Sequence, residues 1–284
     1  MVNMHNKMSL SKAMNARIMG SGKETMILAH GYGGDQSVWD KVLSSSSSSS
    51  SSLLLSFKIL VFDWSFSGAI NKDLNLFDAS KYSCYDAFAD DLIALLEELN
   101  FKSSSPSIFV GHSMSGIIGC IASLKRPDLF SRLVMVSSSP RFINSEDYEG
   151  GFEISDIEQL FKSIETNYDQ WATGFASIVV DRRDPSSIEK FSKSLKRMGS
   201  EIALPLAKII FLSDHRDILE QVKIPCTIIH TTNDIVVPNS VPIYMQKKIP
   251  AQTTLEIIET EGHFPQLTAH DQFIEVLKDR ILNN

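Results

Sequence analysis

Ser107-Ile108-Phe109-Val110-Gly111-His112-Ser113-Met114-Ser115-Gly116 decides how this chain is read. Four strand-like residues run straight into a turn of small residues, and 117–124 continue as a helix. Between a buried strand and a helix, such a turn can hold a serine on strained backbone with its hydroxyl clear of the sheet, a nucleophile elbow. The turn requires small residues two positions either side of the nucleophile. Around Ser113 these are Gly111 and Ser115, with Gly116 following. Choosing Ser115 instead would put Ile117 at the second position, which is too bulky. Ser113 is the candidate nucleophile.

Outward from the elbow, apolar runs and amphipathic segments alternate. Residues 25–29 read as a buried strand ending at His30-Gly31-Tyr32-Gly33-Gly34, with 16–19 as an earlier hairpin strand. A short helix is expected over 35–43 and a strand over 57–63. Phe88, Leu92, Leu95, Leu96 and Leu99 fall on one helix face, with Asp90, Asp91, Glu97 and Glu98 off it. A strand over 133–137 follows. This alternation predicts an α/β fold with a mostly parallel sheet, right-handed crossovers and helices on both faces. From Pro140 to about Asp214 the rhythm stops, and the patterning is helical and aromatic. It resumes with strands at 226–230 and 255–258 and a last helix from about Asp271 to Leu282. The expected organisation is a core of residues 1–139 and 215–284, with a helical cap of 140–214 over the carboxyl edge of the sheet, where such folds bind ligands.

A serine hydroxyl near neutral pH needs a positioned base, itself oriented by a carboxylate. In folds of this kind the chain order is Ser, Asp or Glu, His. Only His263 and His270 lie beyond a late strand. His263, in Glu261-Gly262-His263-Phe264-Pro265, follows its strand directly, whereas His270 reads as a solvated helix-start residue. Asp234 follows the strand ending at His230. Asp214 and Asp217 precede that strand and read as capping or surface-paired acids. Ser113, Asp234 and His263 are the expected triad. Two N–H donors must meet the developing oxyanion. The backbone N–H of Met114 is one, and that of Tyr32, in the glycine-rich turn after the early strand, is the other.

Composition narrows the alternatives. With 43% hydrophobic residues the chain can build a sizeable core, and 27 basic against 34 acidic residues give a net charge of −7. Spread acids without clustered Lys and Arg exclude a nucleic-acid surface. Cys84, Cys120 and Cys226 form no metal-binding or disulfide spacing, which points to a reducing compartment. No apolar run approaches the roughly 18 residues of a membrane span, and the N-terminus lacks a signal-like apolar stretch. Neither a phosphate loop nor a dinucleotide fingerprint is present, and no cofactor or metal is expected. A chamber rich in cap aromatics would select an apolar, uncharged substrate.

The segments His30-Gly31-Tyr32-Gly33-Gly34-Asp35-Gln36-Ser37-Val38-Trp39, Gly111 to Gly116, Arg126-Pro127-Asp128-Leu129-Phe130, Ser139-Pro140-Arg141-Phe142, Asp147-Tyr148-Glu149-Gly150-Gly151-Phe152 and Gly262-His263-Phe264-Pro265-Gln266 resemble the plant α/β-hydrolase receptors for strigolactones and karrikins. The resemblance spans about residues 10–282, and a serine two after the nucleophile is normal in that family. It implies an α/β-hydrolase fold with the cap inserted after the sixth strand, and the triad already named. It also implies a pocket lined by Tyr32, Phe142, Phe152, Phe175, Phe191 and Phe211. Tyr32 stands where the receptors typically have Phe, and Phe142 where they typically have Tyr. The loop 63–70 also departs from the family text, which points to the divergent DWARF-like branch. The resemblance further implies slow hydrolysis of a butenolide or lactone ligand in plant hormone signalling. An F-box protein and a repressor would be partners of a monomeric chain in cytoplasm and nucleus. A metabolic carboxylesterase with the same triad and a non-catalytic receptor are the rival readings.

Nine consecutive serines, 44–52, interrupt the early part of the core. Serine buries little and competes for backbone hydrogen bonds, so the run reads as a surface insertion. Loop-closure entropy changes by only about 0.6 kcal/mol per doubling of length. Shortening the tract to about three or four residues should therefore leave melting temperature and activity nearly unchanged, and a large fall in melting temperature would show that it packs.

Overall fold

The computed structural model describes residues 8–44, 53–101 and 104–282, so all of the serine tract but Ser44 lies outside the described residues. Seven strands form one sheet: β1 (Arg17–Met19), β2 (Glu24–Ala29), β3 (Phe57–Val61), β4 (Ser107–His112), β5 (Phe130–Val136), β6 (Cys226–Asn233) and β7 (Thr253–Glu261). Their spatial order is β1-β3-β2-β4-β5-β6-β7. All neighbours are parallel except β1, which lies antiparallel to β3 with Arg17 opposite Val61. The central strands are continuous apolar runs because both sheet faces are covered. Every residue of β4 is buried.

After β2 the chain moves one way along the sheet, to β3, and after β3 it moves the other way, to β4. Right-handed crossovers then send helices to opposite faces. Helix α1 (Tyr85–Glu98) packs beside α2 (Met114–Lys125) on one face. On the other, Trp39 of the helical turn at 36–44 meets Phe273 of the C-terminal helix His270–Leu282, with ring centroids 6.1 Å apart. The reversal also makes a topological switch point between β2 and β4. Ligands of open parallel sheets bind in the crevice beyond the carboxyl ends at such a point. His30-Gly31-Tyr32 and Gly111-His112-Ser113 both stand there.

Between β5 and β6 come four longer helices, α3 (Ile154–Thr166), α4 (Tyr168–Val179), α5 (Pro185–Met198) and α6 (Ser200–Leu212), and then a single helical turn, Arg216–Leu219. Their starts are encoded locally. Glu153 and Asp156 form a reciprocal capping box on α3, Asn167 accepts from Gln170 N–H, and Asp184 accepts from Ser187 N–H with Pro185 in the first turn. At its rim the insertion is tied to the rest by ion pairs, Lys41–Asp184 at 2.5 Å, Lys190–Asp40 at 2.7 Å and an Arg197–Asp35 pair.

Two expectations need correction. Among the described residues five strands precede the insertion, not six, and the described residues ahead of β1 form a helical turn, Leu10–Ala13, and not a further strand. The 16–19 segment is also no hairpin partner of β2: it reaches past that strand to pair with β3.

The elbow itself is strained, as its position requires. Ser113 has φ 56° and ψ −124°, a conformation that L-residues avoid and that costs about 1–3 kcal/mol. The crossing of strand and helix there is very close. A Cβ on Gly111 would lie 2.5 Å from the Ser115 carbonyl carbon and 2.6 Å from Gly116 N, both backbone atoms. Gly111→Ala should destabilise the protein by ~1–3 kcal/mol, as overpacking does elsewhere, measured by urea unfolding. An unchanged midpoint would mean that the turn relaxes freely.

Three histidines sit buried in or just after strands of the central sheet: His30 after β2, His112 at the end of β4 and His230 within β6. Burial lowers the pKa of each, and for His112 the neighbouring His263 adds to the fall, taking it down to about 3. Unfolded, each titrates near 6.5. Below that pH the unfolded chain binds protons that the folded chain refuses, so stability falls with acid. Above it both states are neutral and the effect vanishes. Between about pH 6.5 and 5 the unfolding free energy should drop by up to about 1.4 kcal/mol per pH unit for each such histidine. Denaturant titrations across pH 7.5–5 (a span chosen to stay above most carboxylates) test this, and a flat profile would contradict it.

Candidate active site

The loops after β4, β6 and β7 bring together three side chains from far apart in the sequence. Ser113 Oγ lies 2.9 Å from His263 Nε2, and His263 Nδ1 lies 2.7 Å from Asp234 Oδ2. Asp234 is fully buried, which pushes its pKa up. Yet the facing His263 and the backbone N–H of Val236, 2.8 Å from Oδ1, outweigh burial and hold the carboxyl below its ordinary value. A carboxylate can only accept, so His263 Nδ1 carries the proton. Nε2 is then free to accept from the Ser113 hydroxyl. Ser113 is 7% exposed and His263 5%, enough for contact with a ligand from one side only.

The backbone of His263 is fixed from three directions. Its N–H donates to the Val179 carbonyl at the end of α4, 2.7 Å away. Its own carbonyl accepts from His112 Nε2 at 2.8 Å, and the Thr231 hydroxyl donates to the preceding Gly262 carbonyl at 2.7 Å. His112 is thus part of the support for the site, a role that the elbow motif does not announce.

The turn after β2 is equally well tied. His30 Nε2 accepts from Trp64 N–H at 3.1 Å, which leaves Nδ1 protonated to donate to the Gly31 carbonyl at 2.9 Å. Gly34 N–H donates to the same carbonyl at 3.2 Å. The peptide bonds are trans, so Tyr32 N–H points away from that pair of donors. Gly31 stands directly beside the elbow: a Cβ on it would lie 2.9 Å from Ser113 Cβ. Met114 opens α2, and its N–H is among those with no partner inside the helix. Ser115 is fully buried, donates to the His30 carbonyl at 2.5 Å and accepts from Trp64 Nε1 at 2.9 Å. The serine that replaces glycine in the motif therefore pins the elbow to the β2 turn.

A cavity of about 30 Å³ lies above Ser113. Tyr32, Phe142, Phe175, Phe191 and Phe211 line it. Phe152 does not: it is set behind Phe211, with ring centroids 5.7 Å apart, because its backbone pairs with Phe142 and Ile143. His112, Val179, Ile210, Val236 and Phe264 also line it and were not foreseen. Nothing in an aliphatic residue marks it as lining, though Val236 lies two residues from Asp234. Asp214 is engaged by Arg141 and Arg216, Asp217 is exposed on a short helix, and His270 lies by Asp271. None of these joins the site. No group of metal-ligating side chains occurs among the described residues, and no described helix is long and apolar enough to cross a membrane.

Residues 24–269 match the model of the α/β hydrolase fold family. The chain is 42% identical to karrikin insensitive 2 receptor CA of Petunia hybrida, over 94% of this chain and 95% of that protein. It is 37% identical to strigolactone esterase D14 of Arabidopsis thaliana, over 95% and 97%. A hydrolase from Oleispira antarctica has a similar structure, with a TM-score of 0.89 and 33% identity over 97% of both chains. A strand-elbow-helix at the switch point, on a chain so closely related over nearly its whole length, leaves one conclusion: this protein belongs to the α/β hydrolase family, in the group of the karrikin-insensitive receptors and strigolactone esterases.

Proposed function

We propose that this protein is a serine hydrolase that binds an apolar butenolide-type ligand and cleaves it slowly by acyl transfer. The observation that carries this reading is the unbroken hydrogen-bond line from Ser113 through His263 to Asp234 under an apolar chamber. Ser113 Oγ attacks the ligand's ester or lactone carbonyl carbon while His263 Nε2 takes the hydroxyl proton. Asp234 stabilises the imidazolium so formed and holds its orientation. The oxyanion is met by the N–H groups of Met114 and Tyr32. Collapse breaks the bond to the leaving oxygen, which receives the proton from Nε2, and water then releases the acyl group by the reverse proton path. The walls carry no lysine or arginine to pair an anionic ligand, which favours an uncharged one.

Residues 140–214 act as the cap in this reading, over a core of 1–139 and 215–284. The relatives' names support strigolactone- or karrikin-like molecules as candidate ligands, and hormone signalling as the purpose of a low turnover belongs to this reading. An F-box protein and a repressor as partners, a monomeric state, and residence in cytoplasm and nucleus belong to the same proposal.

Binding and chemistry should separate cleanly. Ser113→Ala should reduce hydrolysis by several powers of ten, about 10⁶ by the precedent of triad removal, and abolish any acyl-enzyme. Affinity for an intact butenolide should move by under about 1 kcal/mol, since the hydroxyl adds little buried area. Calorimetric titration beside mass spectrometry of Ser113 and His263 measures both. Hydrolysis by Ser113→Ala at the parent rate would remove the enzyme reading. Parent turnover in the ordinary range of 1–10³ s⁻¹ on simple esters would favour a metabolic carboxylesterase.

A further inference from the structure

Tyr32 is tied at both ends. Its backbone lies in the turn that the proposed mechanism uses for the oxyanion, and its side chain reaches across the cavity to the helical insertion. The phenol donates to the Ala203 carbonyl in α6 at 3.1 Å. The ring meets Trp171 of α4 edge-on, with centroids 6.3 Å apart. Trp171 in turn stacks on Phe175, another wall residue, at 5.0 Å, and on Tyr168 at 5.6 Å. Tyr168 closes the set by donating to the Leu195 carbonyl of α5 at 2.5 Å. One side chain from the core thus spans to two helices of the insertion. It is 9% exposed, and burial keeps its phenol protonated by raising its pKa well above 10.0.

The space beside it is small. About 30 Å³ holds on the order of two water molecules, less than any butenolide ring requires. A ligand that reaches Ser113 must therefore displace wall side chains or shift the insertion relative to the β2 turn. Any such shift at α6 strains the Tyr32–Ala203 bond. Ala203 lies within α6, where its carbonyl has the ordinary intrahelical donor, so the phenol is an added tie and its loss orphans no buried carbonyl.

We propose that the Tyr32 hydroxyl is a specificity-determining strut that holds the insertion down on the oxyanion turn and so discriminates against bulky ligands. Small acyl groups need the least displacement and are the least affected by the strut. Larger ones bind only the fraction of molecules in which it is released, and their apparent affinity is reduced by that fraction. A neutral hydrogen bond of ordinary net strength changes such an equilibrium about three- to tenfold.

The inference rests on the proposed acyl-transfer site, and the test has one arm that does not. Tyr32→Phe keeps the ring and its contact with Trp171 and removes only the hydroxyl. In the first arm, kcat/KM is measured for p-nitrophenyl acetate and for longer p-nitrophenyl esters. The ratio of long to short should rise about three- to tenfold in the variant, mainly through KM. In the second arm, amide hydrogen exchange across residues 200–212 is followed in the ligand-free protein and should quicken by a similar factor. An unchanged or falling ratio overturns the specificity role, and unchanged exchange in α6 overturns the strut itself. If neither parent nor variant cleaves any ester while exchange quickens, the acyl-transfer reading fails and the strut stands. A second variant, Tyr32→Leu, which loses ring and hydroxyl, should exceed Tyr32→Phe in the exchange arm. Equality of the two would assign the tie to the hydroxyl alone, and an effect confined to Tyr32→Leu would move it to the Trp171 contact and refute the proposal.

Discussion

A serine held at positive φ between a strand and a helix does not persist unless its surroundings leave it no alternative, and most of this protein's central architecture meets that demand. The strain at Ser113 costs about as much as one or two good hydrogen bonds return. It is offset by Ser113 N–H donating to the Val136 carbonyl at 2.8 Å, by Gly116 N–H donating to the Ser113 carbonyl at 3.1 Å, and by Ser115 joining the His30 carbonyl. Those three anchors lie on β5, α2 and the end of β2. Sheet order follows from the same demand, because β2, β4 and β5 must be adjacent for the elbow to be held on both sides.

The same economy explains why the base is not simply a side chain on a loop. A histidine that must both accept from Ser113 and donate to Asp234 has little angular freedom, and side-chain bonds alone would let the loop carry it off line. Val179, His112 and Thr231 hold its backbone instead. One of these holds comes from the helical insertion. Displacement of α4 would act on His263 directly, through a main-chain hydrogen bond. The insertion is therefore connected to the proposed chemistry at two points, Val179 above the base and Ala203 above the oxyanion turn.

Much of this was legible in the sequence, for identifiable reasons. Buried parallel strands declare themselves as apolar runs, and residues at their carboxyl ends then fall in one crevice, so Ser113, Asp234 and His263 could be brought together from chain order alone. The Phe residues of the insertion were harder to sort, because a ring at a wall and a ring one layer behind have the same composition and spacing. Phe152 was misplaced for that reason: the Ile143–Phe152 bridge turns it onto Phe211. The partner of β1 was illegible because three residues carry no register, and pairing with β3 depends on where β3 lies. His112 looked like a spacer in the motif, since its role depends on a carbonyl 151 residues away.

Rigidity is distributed unevenly, and the division follows the kind of contact. Around the elbow, closely packed apolar side chains with no exposed area make any displacement costly. At the rim of the seam some ties are ion pairs such as Lys190–Asp40, with both side chains about half exposed. Exposed pairs of this kind contribute ~0–1 kcal/mol each. A ligand larger than the cavity can then be admitted by giving up the weak seam while the elbow, the base and the acid keep their geometry. That is the arrangement required of a site whose chemistry needs fixed distances and whose recognition needs variable volume. It also places the control of entry on the few seam contacts that are buried and neutral, the Tyr32 phenol on the Ala203 carbonyl and the His263 N–H on the Val179 carbonyl among them.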